Sequence, residues 1–305
     1  MDAPDLRQHN PESPFKTFAE RISDVAGAPY HYDSDSLRAV RVAGAIGRVL
    51  LVRGAPGTGK TSLARNVAGA LGWDYIEFVV TSRTQASDLL WRFDNLERLN
   101  DAYASAIDRS ESVREKRNYL EPGPLFRAFA PEFAAGLRRT LPHEPPKSGV
   151  VLLMDEIDKA DPDLPNDLLV PLEAKRFTID ALNLLVEAQR PVFVVVTTNE
   201  ERDLPQAFLR RCVILTLKRP ADRDALLTIA RKHFPKLDVR LFDAVFDAYI
   251  SLGEKAEGND LRPPATAEFL DALSACEELG LKVEDEELKF AVRAALWKHG
   301  DVAAQ

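Results

Sequence analysis

The stretch that decides the fold is Gly54-Ala55-Pro56-Gly57-Thr58-Gly59-Lys60-Thr61. It fits the pattern G-x-x-x-x-G-K-[ST]. Glycines at these positions let the main chain curl without Cβ clashes, so that successive N–H groups turn inward around a phosphate chain. Immediately before it lies Val49-Leu50-Leu51-Val52, an unbroken apolar run suited to a strand covered on both faces. Immediately after it the pattern predicts a helix to about residue 71, whose N-terminal partial charge faces the phosphates. In that context Lys60 is expected to reach the β and γ oxygens of ATP. The Thr61 hydroxyl is expected to sit on Mg²⁺, with Ser62 next in the same turn of the binding loop.

Working outward, Val150-Val151-Leu152-Leu153-Met154 is a second buried strand, and it ends in Asp155-Glu156. Ligands of an open parallel sheet bind beyond the carboxyl ends of its strands. Asp155 is therefore expected to hold the shell of the Mg²⁺ ion. Glu156 is expected to orient and deprotonate the attacking water. Asp158, Lys159 and Asp161 read as solvated residues or as part of a subunit contact. Further strands are predicted at 75–80, 191–198 and 213–217, with helices at 35–46, 87–107, 125–137, 162–174 and 204–211. Strands alternating with helices argue for an α/β fold with a parallel sheet. Beyond Pro220 the strand signal stops, and 223–233, 239–252, 266–279 and 284–298 read as amphipathic helices. The expected organisation is an N-terminal extension over 1–33 with one short helix at 15–25, an α/β domain over 34–219 and a helical domain over 220–305.

Composition narrows the classes. The 305 residues carry a formal net charge of −8. A protein whose main work is gripping nucleic acid usually carries a basic face, so nucleic acid is an unfavoured partner. The two cysteines, Cys212 and Cys276, lie far apart and in no metal-ligand spacing, which suits reduced thiols in a cytoplasmic protein. The first ten residues are polar and lack the apolar core of a signal peptide. The longest apolar runs, at 150–154 and 192–196, are too short to span a bilayer. Among the five histidines, His31, His143 and His233 form no ligand spacing and read as surface or packing residues. Trp73 and Trp91 read as core rather than as base-stacking platforms. No protease, nuclease or helicase signature is present.

Taken together these residues resemble the AAA+ ATPases, from about residue 35 to the C-terminus. The resemblance implies a P-loop NTPase with a five-stranded sheet ordered 5-1-4-3-2, a C-terminal all-helical lid, and ATP held at subunit interfaces of a homo-oligomeric, expectedly hexameric, ring. Asp155-Glu156-Ile157-Asp158-Lys159-Ala160, Asn166-Asp167-Leu168-Leu169, Leu172-Glu173 and Pro122-Gly123-Pro124-Leu125-Phe126 are similar to the MoxR branch, in which 175–187 would form a hairpin before the fourth strand. The same resemblance implies three further roles. Asn199 matches the polar residue at the end of the fourth strand (sensor 1), where an amide can contact both γ-phosphate and water. Arg211, or its neighbour Arg210, matches the arginine finger that reaches a neighbouring subunit. Arg262 resembles the lid arginine (sensor 2).

The function implied is Mg²⁺-dependent ATP hydrolysis coupled, in chaperone-like fashion, to remodelling of a partner protein, often one with a vWA domain. Two alternatives stay open: a nucleotide-dependent assembly switch with little turnover, and a DNA-dependent motor.

Overall fold

Residues 49–52 are apolar without interruption, and residues of that kind extend only where both faces of a strand are covered. In the computed structural model, which describes residues 13–22, 29–107, 115–137, 145–220 and 222–297, they form β1 (Val49–Arg53) inside a five-stranded sheet. The other members are β2 (Asp74–Val79), β5 (Val150–Asp155), β8 (Val192–Thr198) and β9 (Cys212–Thr216). The order across the sheet is β2-β5-β8-β1-β9. Counting only these five strands in chain order, that is 5-1-4-3-2, as predicted. The pairs β2–β5, β5–β8 and β8–β1 are parallel. The strands β5 and β8 are buried almost end to end, whereas β2 and β9, at the edges, are buried only in part. Parallel pairing brings the carboxyl ends of β1, β5 and β8 to one edge: Arg53 lies level with Thr198, and Met154 with Val196.

The described residues fall into two compact units. One draws on 13–22, 34–53 and the described residues of 64–215, the other on 29–33, 54–63 and the described residues of 216–297. In the first, the sheet is flanked by α2 (Ser34–Ile46) and by most of α3 (Lys60–Leu71). Its N-terminal arm carries α1 (Phe18–Arg21), and only this short piece of the helix expected at 15–25 is formed among the described residues. Val25 lies outside them. Phe15 is buried and packs edge-on against Trp73, with ring centroids 5.8 Å apart, and against Phe193 at 5.0 Å.

The helix expected over 87–107 is interrupted. The chain forms α4 (Ala86–Leu90), then β3 (Trp91–Phe93), then α5 (Asn95–Ile107). The strand β3 pairs antiparallel with β4 (Leu120–Pro122). Arg92 fastens this small sheet by bonding Asp88 at 3.3 Å and Glu121 at 3.1 Å. Asp94 restarts the helix by accepting from the Glu97 amide at 2.8 Å. Trp91 is packed partly buried against the sheet's core, as expected. The expected charged stretch at 108–117 falls largely outside the described residues, as does His143.

The segment expected as one helix at 125–137 is two, α6 (Pro124–Phe129) and α7 (Pro131–Leu137), because Pro131 cannot donate an amide to a continuous helix. Short helices α8 (Leu164–Asp167) and α9 (Leu169–Ala174) follow β5. The hairpin before the fourth core strand is present as β6 (Arg176–Ile179) and β7 (Leu184–Glu187). Helix α10 (Gln206–Leu209) precedes β9.

The second unit is built on α11 (Arg223–His233), α12 (Val239–Glu257), α13 (Thr266–Glu278) and α14 (Glu286–Leu296). Phe242, Val245, Tyr249, Phe269 and Leu273 form its core. Asp222 and Asp238 cap α11 and α12, each accepting a main-chain amide at 2.9 Å. Among the described residues, no helix is long and apolar enough to cross a membrane.

Candidate functional site

The phosphate loop belongs to the second unit. Gly57 holds φ at +79°, a conformation L side chains rarely adopt, and a Cβ there would lie 2.9 Å from the Ala265 Cβ. The loop is tied to the N-terminus of α13, where the Ala267 amide donates to the Gly57 carbonyl at 3.0 Å. Thr58 closes the turn through its hydroxyl on the Ala55 carbonyl at 2.8 Å. Lys60 opens α3 and is buried. Its ammonium donates to the carbonyls of Gly54 at 2.7 Å and Ala55 at 3.0 Å, so the charge is held within the curl of the loop. The Ser62 side of α3 is exposed, and Thr61 is half-buried beside it. A curled glycine backbone, a buried ammonium and a helix N-terminus together suit a chain of phosphates.

Arg262 reaches the same loop. Its guanidinium donates to the Pro56 carbonyl at 3.2 Å and also pairs with Glu268. Glu268 is nearly buried, and it accepts from the Ala265 amide at 2.7 Å, capping α13. Nothing in the sequence marks Glu268, because a capping glutamate does not reveal that its helix will start beside a loop far upstream. Tyr30 and Tyr32 were missed for the same reason. Their rings meet edge to face at 4.7 Å, and the Tyr30 ring comes within 3.4 Å of where a Gly59 Cβ would stand. Burial pushes both phenols above their ordinary range. Lys232 donates to the Tyr30 carbonyl at 2.6 Å, and burial first, then this lysine, hold the His31 imidazole below its usual range.

The acidic strand end belongs to the first unit. Asp155 is the last residue of β5, and its carboxylate accepts from the Thr197 hydroxyl. That hydroxyl also accepts from the Glu156 amide at 2.9 Å. Thr197 thus ties together the two acidic residues from the neighbouring strand. The only trace of it in the sequence is a hydroxyl at the end of an otherwise apolar run.

Glu156 stands in the left-handed region, at φ 61° and ψ 50°. It carries the chain from the strand into a turn at Ile157–Lys159. One carboxylate oxygen accepts from the Asn199 carboxamide at 3.2 Å, and the other pairs with Lys159 at 2.6 Å. The pairing with Glu156 pushes the Lys159 ammonium above its ordinary range. Asp158, expected to be solvated or at a subunit contact, is instead buried within the chain, with only 3 % of its surface exposed. The turn after Glu156 swings it inward against the segment that follows β8, where its carboxylate accepts from the amides of Asn199 and Glu201.

Arg210 and Arg211 follow α10 and are exposed. Arg211 pairs with Glu173 at 3.0 Å and donates to the Ala207 carbonyl at 3.2 Å. The Arg210 carbonyl accepts from Arg48 at 3.3 Å.

A family model described as an AAA domain of the dynein-related subfamily matches residues 49–212, more than half of the chain. The chain belongs to the AAA family. The match runs from the first strand of the AAA domain to the start of its last. Among curated proteins, the AAA domain is similar to Lon protease 2 of Bdellovibrio bacteriovorus, with 26 % identity over 63 % of this chain and 20 % of that protein. It is also similar to the peroxisomal Lon protease homolog 2 of Arabidopsis thaliana, with 27 % identity over 63 % of this chain and 18 % of that protein. The AAA chain therefore spans about a fifth of the length of these relatives. A crystal structure of a candidate ATPase from Cytophaga hutchinsonii superposes with a TM-score of 0.45 at 15 % identity, covering 93 % of this chain and 86 % of that one.

Proposed function

We propose that this AAA protein hydrolyses ATP, in the manner of the MoxR branch, and uses the cycle to remodel a partner protein while assembled as a ring. The observation that carries the hydrolytic reading is the setting of Glu156. A carboxylate at a strand end, held in a left-handed backbone conformation and hydrogen-bonded by a neighbouring strand's carboxamide, suits a group that must meet a water molecule in one orientation. A protein that only binds nucleotide has no need of that arrangement.

In this reading Gly54 to Ser62 hold the triphosphate, with Lys60 countering charge on its outer phosphates and Arg262 contacting it from the lid. Asn199 and Glu156 orient the attacking water, and Glu156 takes its proton. Arg211, or Arg210, acts on the site of a neighbouring chain. Thr61 and Asp155 offer a hydroxyl and a carboxylate, the hard oxygen donors that Mg²⁺ prefers, and these two residues would hold it. When bound, the ion neutralises charge on the β and γ oxygens. The partner, by the same resemblance, is a protein, with a vWA domain as the first kind to test.

Glu156→Gln is expected to lower steady-state ATP turnover by about a hundredfold or more, the scale of losing a general base. Calorimetry should show that ATP binding survives the substitution. Unchanged turnover in Glu156→Gln would end the hydrolytic reading. Chelation with EDTA is expected to stop turnover, and added Mg²⁺ to restore it.

One observation favours the second reading, an assembly switch with slow turnover. Lys159 pairs with one Glu156 oxygen at 2.6 Å, so a water must share that oxygen with the ammonium. Single-turnover hydrolysis slower than exchange of the bound partner would decide for the switch.

A further inference from the structure

The turn between β8 and α10 carries Asn199, whose part in hydrolysis with Glu156 rests on the reading proposed above. The Asn199 carboxamide can serve Glu156 only if this turn keeps a fixed shape. Three main-chain amides in it are held by side-chain oxygens. The Glu200 amide donates to the Thr198 hydroxyl at 2.9 Å. The Asn199 and Glu201 amides both donate to one oxygen of Asp158, at 3.2 and 3.0 Å. Between these two clamped amides, Glu200 is held at φ 61°, in the left-handed region.

Asp158 itself is delivered by the turn that begins at Glu156. The contacts therefore close a circuit. Glu156 leads through its own turn to Asp158, Asp158 holds the backbone of Asn199, and the Asn199 side chain returns to Glu156 at 3.2 Å. The circuit joins the ends of β5 and β8, which already run side by side.

The energetics argue against simple packing. The second oxygen of Asp158 is buried without a hydrogen-bond partner. A buried carboxylate with an unsatisfied oxygen is costly, and an apolar residue of similar size would fill the space without that cost. What an apolar residue could not do is accept two amides from the turn that carries Asn199.

We propose that Asp158 is a positioning residue for ATP hydrolysis, setting the turn after β8 so that the Asn199 carboxamide stays on the Glu156 carboxylate. In this role it acts through the backbone of Asn199.

The test is a double-mutant cycle on the full chain with Asp158→Ala, Asn199→Ala and their combination, reading kcat and KM for ATP. Asp158→Ala is expected to lower kcat about tenfold while KM shifts by less than about threefold, the pattern of a lost transition-state interaction. In the Asn199→Ala background the same substitution should cost nothing further, because the two act on one path. Asp158→Asn keeps an oxygen to accept both amides and should recover most of the rate. Equal losses of kcat in both backgrounds would overturn the proposal, as would a loss in Asp158→Asn as deep as in Asp158→Ala.

A second readout does not need turnover. In a crystal structure of Asp158→Ala, or of Asp158→Asn if the alanine variant does not fold, the side chain of Asn199 is located directly. Departure from Glu156 in the alanine variant, or retention in the asparagine variant, supports the proposal. An Asn199 that stays on Glu156 without Asp158, or leaves it in Asp158→Asn, overturns it. If the wild-type chain hydrolyses no ATP, the proposed function fails on its own, and the position of Asn199 still decides this inference.

Discussion

Glu156 and Gly57 show how single backbone torsions shape the site. Glu156 is at φ 61° although it has a Cβ, and residues held in that region typically cost about 1–3 kcal/mol. The strain is tolerated because the Thr197 hydroxyl, Asn199 and Lys159 hold the residue from three directions. Gly57 needs a similar region but meets it without strain, and the space beside it is already filled by Ala265 and Ala267. Gly57→Ala is expected to destabilise the chain by about 1–2 kcal/mol from the torsion alone, before any crowding against α13. Urea unfolding would measure that loss. Calorimetry should show weaker ATP binding in parallel, since the loop and the helix that braces it must shift together.

At the level of elements, the part of the arm around Phe15 is packed into the first unit. Phe15 lies over α2 at Gly44, where any Cβ would overlap its ring, and Arg41 of the same helix donates to the Phe15 carbonyl at 3.4 Å. Phe15→Ala should therefore cost about 3 kcal/mol, the low end for removing a buried aromatic ring. A fall in thermal midpoint together with unchanged ATP affinity would locate the effect in packing. The interrupted helix at 87–107 teaches a related lesson. Its apolar spacing reads as helical, but Trp91 and Phe93 gain a strand partner from residues 120–122, almost thirty positions away. Propensity is a local quantity, and here a non-local pairing overrides it.

At the scale of the whole molecule, the finger arginines bear on assembly. In the chain by itself Arg211 is exposed and held by Glu173, itself on the surface. An exposed pair of this kind is worth little and is easily exchanged for a stronger anion. If Arg211 works on a neighbour's nucleotide, Arg211→Ala alone and Glu156→Gln alone should both be nearly inactive. Mixing them should give more turnover than the sum of the two, because some interfaces then join an intact Glu156 to an intact Arg211. Mixtures that stay additive would place the arginine's role within its own chain. Sizing the Glu156→Gln chain in ATP would report the number of subunits in the same preparation.

Beyond the strand order, which came through the resemblance to the AAA+ ATPases, the sequence alone determined the sheet, the loop that curls at Gly54 to Thr61, and the strand that ends in Asp155 and Glu156. These follow from contiguous signals: unbroken apolar runs, glycines where a backbone must turn, and charges placed at the ends of buried strands. Only the tertiary structure decided that Thr197 joins the two acidic residues, that Asp158 is buried and grips the turn carrying Asn199, and that Glu268 and Tyr30 stand beside the phosphate loop. Each of these depends on parts of the chain brought together by packing and hydrogen bonds across elements. A single carboxylate or hydroxyl carries no mark in sequence of which distant amide it will meet.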